Sequence, residues 1–78
     1  MTATGMTLAI NNGWNVAVET LNECKDDDAK KDKIKELMKK VNEVQTKYNS
    51  TQAIFHYAEG VRYAIVEFET TGVVPSEA

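Results

Sequence analysis

Residues Ala53–Glu69 read AIFHYAEGVRYAIVEFE, and the reading of this stretch decides the fold. Two short apolar runs flank Glu59-Gly60, which predicts a hairpin with a two-residue turn. That register sets Ala58 opposite Val61, His56 opposite Tyr63 and Ile54 opposite Ile65. The other face carries Phe55 beside Ala64, Tyr57 beside Arg62 and Ala53 beside Val66, with Phe68 beyond. Both faces are apolar. A hairpin that covers one core needs only one, so something must cover the second.

Upstream, residues 6–19 read MTLAINNGWNVAVE. Asn12-Gly13 is a hairpin signal. A three-residue loop, Asn11-Asn12-Gly13, with Gly13 left-handed in a bulge, pairs Ile10 with Trp14, Leu8 with Val16 and Met6 with Val18. All six apolar residues then share one face. A two-residue loop mixes the faces, because a slip of one residue reverses every side chain. A rival reading is helical: Ile10, Trp14, Ala17, Leu21 and Cys24 have the spacing of a helical seam. Asn11, Asn12, Gly13 and Asn15 are poor helix formers, and Val16, Val18 and Thr20 are β-branched, so the strand reading is preferred.

Between the two hairpins lies one clear helix, from Ala29 to about Asn49. Ile34, Leu37, Met38, Val41, Val44, Gln45 and Tyr48 form an apolar stripe at helical spacing. Glu36–Lys40 and Glu43–Lys47 are acid-first pairs four apart. Asp26-Asp27-Asp28 places negative charge where a helix begins. Thr20–Glu23 (TLNE) matches a capping box, a motif common by chance.

The resulting fold class is α+β: a ββαββ chain forming a four-stranded antiparallel sheet with one helix on one face. Residues 1–5 are expected to be a tail, 6–74 a single domain and 75–78 a second tail. The helix covers the face that bears Met6, Leu8, Trp14, Phe55, Val66 and Phe68. Ile54, His56, Val61, Tyr63 and Ile65 then point away from it as an apolar patch, which marks an interaction site.

Composition limits the choices further. At 78 residues, the chain holds one domain and buries only about 60% of its unfolded surface, so a staple is expected. Cys24 is the only cysteine, which excludes an internal disulfide. With His56 alone it cannot complete a structural zinc site. That leaves self-association or a partner protein. Net charge is −3, which argues against a phosphate-binding surface for nucleic acid. No signal peptide or membrane span is expected, and a lone thiol fits a reducing cytoplasm.

Residues with chemical potential are few. His56 is the only histidine; with Tyr63 opposite and Glu67 nearby it could form an acid–base cluster, but no nucleophile joins it. Cys24 sits among more acids than bases, which blunts a thiol. The acidic run lacks calcium-loop spacing. The helix segment KKDKIKELMKK intersperses acids with its lysines, as a solvated face does. No cofactor, metal or catalytic group is expected. The chain reads as a non-enzymatic protein-interaction module (adaptor, regulator or inhibitor), a homodimer or higher oligomer using the helix-free sheet face, with another protein as a further partner. The alternative is a nucleotide- or anion-binding protein with His56, Arg62 and Tyr63 lining a pocket at the dimer interface.

Overall fold

In the computed structural model, which describes residues 2–78, the chain folds as three helices. These are α1 (Ala3–Glu23), α2 (Asp27–Lys47) and α3 (Ala53–Thr71). No strand occurs among the described residues. The expected ββαββ sheet is therefore corrected to an all-helical bundle: each expected hairpin is a single helix, and the α+β class falls with it.

Local chemistry marks the helix ends. The Thr2 hydroxyl accepts from Gly5 N–H at 3.1 Å. Helix α1 thus starts inside the segment expected as a tail, of which Met1 lies outside the described residues. The Asp26 carboxylate accepts from Ala29 N–H at 2.8 Å, and Asp27 and Asp28 occupy the first turn of α2. This is the acid-rich start that complements the helix dipole. Gly72 ends α3 in the left-handed region, φ 75°, where a residue without Cβ is favoured. Thr20–Glu23 caps nothing; it forms the last turn of α1.

The residues that argued for strands are accommodated inside helices. Thr7, Thr20, Thr46 and Thr71 each donate their hydroxyl to the carbonyl four residues back, which satisfies the group locally. Tertiary packing decides the rest. Two reversals bring α3 alongside α1 in the same direction, and these two helices share the main interface. Ala9 lines a hollow together with Ala53 and Ile54 at one end. Gly13 meets Tyr57 and Val61 further along.

At the crossing the two backbones touch. A methyl on Gly13 would press into the Tyr57 carbonyl oxygen, and one on Gly60 into the Ile10 carbonyl oxygen. The hydrogens that stand in place of those methyls point at the carbonyls, a reciprocal Cα–H···O arrangement found where helices approach closely. Ala17 and Ala64, four residues beyond each glycine, are fully buried. Neither Asn12-Gly13 nor Glu59-Gly60 is a turn. Each glycine removes a side chain so that two helices can meet.

Helix α2 packs mainly on α3 and scarcely touches α1. The core joins Ala17 and Val18 of α1, Val41 of α2, and Ala58, Val61, Ala64 and Ile65 of α3. Beyond Gly72 the chain turns back over α1. Trp14 Nε1 donates to the Ser76 carbonyl at 2.7 Å. The Ala78 N–H donates to Asn15 Oδ1 at 2.7 Å. Val74 packs against the core.

Candidate functional site: an apolar groove between α1 and α2

Because α1 and α2 stand apart, α3 is uncovered between them. The opening is a groove of about 250 Å³, lined by Val16 of α1, Leu37, Lys40, Val41 and Val44 of α2, and Tyr57, Ala58 and Val61 of α3. Lys40 is the only charged residue in that lining. A second, more open hollow of about 400 Å³ adjoins it through Tyr57 and is lined by Ala9, Asn12, Ala53 and Ile54. Val16, Ile54 and Tyr57 are among the large apolar side chains left exposed. The two hollows make one apolar strip with Tyr57 at its centre.

The expected site residues do not share a face. Ile54 is 41% exposed and borders the open hollow. Val61 is buried at the floor of the groove. Ile65 is fully buried in the core. Tyr63 is 43% exposed, on neither hollow. His56 is buried. A period of two had grouped these residues; on a helix they scatter. Val16, Leu37, Val44 and Tyr57 are the groove residues that sequence reasoning assigned to a core face instead.

His56 sits in a hydrogen-bonded chain. Its Nδ1 lies 2.5 Å from Glu59 Oε1, and its Nε2 lies 2.7 Å from the Ser50 carbonyl. The Tyr63 hydroxyl donates to the other Glu59 oxygen at 3.1 Å. Histidine and tyrosine are linked through Glu59, not paired across two strands as expected and not through Glu67. The spacing 56, 59, 63 is helical and could have revealed the cluster. Both ring nitrogens face acceptors. A ring carrying hydrogen on both donates to both; a neutral ring donates to one. The cluster ties the α2–α3 turn to α3.

The residues of the expected anion pocket are placed as follows. The nitrogens of His56 are engaged within the chain. Arg62 lies over the Tyr63 ring at 5.6 Å. None of the three lines either hollow.

Elsewhere, a hydrogen bond to Glu77 and the charge of that residue together hold the Glu19 carboxyl above its ordinary value of 4.5. The Cys24 thiol is half-buried and directed at the Thr20 carbonyl. Among the described residues, no group of three or more His, Cys, Asp or Glu is placed to hold a metal. No helix there is long and apolar enough to cross a membrane.

Compared with known proteins, the chain matches no family model, no curated protein and no solved structure.

Proposed function

We propose that this chain is a small non-enzymatic protein-interaction module, and that its recognition surface is the groove between α1 and α2. The observation that carries this reading is the separation of α1 from α2, which leaves Val16, Leu37, Val44 and Tyr57 around an apolar hollow open to solvent. Such a hollow between helices suits the apolar face of another helix. The reading replaces the helix-free sheet face, which does not exist, and keeps the interaction role. A reducing cytoplasm belongs to the same proposal, since the lone thiol requires no oxidising compartment.

Anilinonaphthalene sulfonate, an anionic apolar dye, tests the surface at low micromolar protein. Its fluorescence is expected to rise on the folded protein and to fall several-fold in Val16→Asp and in Tyr57→Asp. Circular dichroism with a cooperative melt must show that both variants remain folded, because loosely packed states also bind the dye. An equal dye response in folded wild type and folded variants would remove the groove as the recognition surface.

A further inference from the structure

Residues 73–78 belong to no helix, yet they form a strap seated on α1 at defined points. Val74 and Pro75 are half-buried, and Val74 packs on the same core cluster as Trp14. The Trp14 indole N–H donates to the Ser76 carbonyl, and the Ala78 N–H donates to Asn15 Oδ1, each at 2.7 Å. Both strap groups belong to the main chain, which any peptide presents. Ser76, Glu77 and Ala78 are themselves exposed. The seat thus takes an apolar anchor and a length of backbone beside a tryptophan, much as aromatic surfaces take proline-bearing segments.

One strap position does not suit the seat. Glu77 faces Glu19, on a helix whose only charged residues are Glu19 and Glu23. Two carboxylates brought together at neutral pH weaken the docked strap. The tether offsets this, because it holds the strap near its seat at an effective concentration of about a millimolar. A separate segment with a basic residue at that position would replace the repulsion with an ion pair.

We propose that the Trp14–Asn15 face of α1 is a binding site for a proline-bearing peptide segment of another protein, and that residues 73–78 fill it in cis as a weak occupant. The segment has a small apolar residue before its proline, as Val74 precedes Pro75, and a basic residue two positions after it, where the strap has Glu77. This goes beyond the groove: Trp14, Asn15 and the strap line neither hollow, so the two sites stand or fall separately.

Two synthetic peptides with acetyl and amide ends test it on the full chain. One copies residues 72–78, and the other carries Glu77→Lys. Trp14 is the only tryptophan, and its indole N–H resonance reports occupancy. Val74→Asp in the full chain removes the apolar anchor of the strap and opens the seat. The opened chain is expected to bind the Glu77→Lys peptide about tenfold more tightly than the native one, the scale of a rim repulsion exchanged for an attraction. Adding Glu19→Lys is expected to reverse that preference. Wild type is expected to bind either peptide several-fold more weakly than the opened chain, because its own strap competes.

Equal affinity for the two peptides overturns the proposal, as does a preference that Glu19→Lys leaves unchanged. Wild type binding as tightly as the opened chain overturns it too, and so does no binding by an opened chain that melts cooperatively. Should Val74→Asp fail to fold, wild type at millimolar peptide decides. The Glu77→Lys peptide is then expected to move the Trp14 indole resonance and to release the Ala78 amide, with the native peptide about tenfold less effective. Silence from both peptides overturns the proposal.

Discussion

A methyl group on Gly13 would meet the Tyr57 carbonyl, and one on Gly60 the Ile10 carbonyl and, at 2.8 Å, the Trp14 nitrogen. Both obstacles are backbone, so no rotamer change relieves them. Gly13→Ala and Gly60→Ala are each expected to cost about 3 kcal/mol in denaturant unfolding, the upper end for overpacked cores. On helix propensity alone, both changes would instead stabilise by up to about 1 kcal/mol. The sign of the effect therefore separates a helix crossing from a glycine that is merely tolerated. Gln45 offers the opposite case. Its amide nitrogen is buried with no hydrogen-bond partner among the described residues. Gln45→Leu is expected to stabilise by about 1 kcal/mol, since an unpaired buried donor is removed and apolar contact is gained. Chemical denaturation reads both changes; a loss of stability in Gln45→Leu would mean that the amide is paired after all.

At the scale of elements, the sequence was legible in α2 and misleading in the other two helices. The α2 stripe has one period and charged residues between its apolar ones, so only a helix fits. In α3, Ile54, Ala58, Val61, Ile65 and Phe68 recur at spacings of four and three, the pattern of a helical seam. The same residues also alternate well enough to pass as two strands, because Phe55, Tyr57, Tyr63, Ala64 and Val66 between them are apolar or aromatic too. Helix α1 carries an equivalent seam through Ile10, Trp14, Ala17 and Leu21, and its asparagines and β-branched residues argued against it. Packing against α3 overrode those propensities, as it commonly does. The small residues Ala9, Gly13 and Ala17, with Gly60 and Ala64, have the spacing that lets helices approach closely. That signal was available in both segments and was read as turns.

The C-terminal strap adds an element that composition alone had made a loose tail. Its contact with α1 is opposed by charge at neutral pH. Glu19 titrates above its ordinary value because of Glu77, so the docked strap binds a proton more tightly than the released one. Docking is therefore favoured at acid pH and weakens as pH rises above 4.5 through the raised value. Exchange of the Trp14 indole N–H, which donates to Ser76, is expected to slow in Glu77→Gln relative to wild type at pH 7, with the difference closing near pH 4. A difference that persists undiminished at acid pH would mean that Glu77 acts on the strap through something other than this pair of carboxyls.

For the whole molecule, the glycine crossing and the groove are one design. Drawing α1 onto α3 backbone to backbone gives those two helices the main interface and leaves α2 attached chiefly to α3. The space between α1 and α2 then remains open and apolar. The crossing is thus the premise of the fold and of the proposed recognition surface alike. Nuclear Overhauser spectroscopy tests it most directly, through the Gly13 and Gly60 α-protons. Cross-peaks are expected from Gly13 to the Val61 amide and from Gly60 to the Trp14 amide, whose nitrogens lie 3.0 and 2.8 Å from the positions a methyl would take. If those peaks are missing and cross-strand peaks join Ile10 to Trp14 and His56 to Tyr63 instead, the chain is a pair of hairpins, and both the crossing and the groove are wrong.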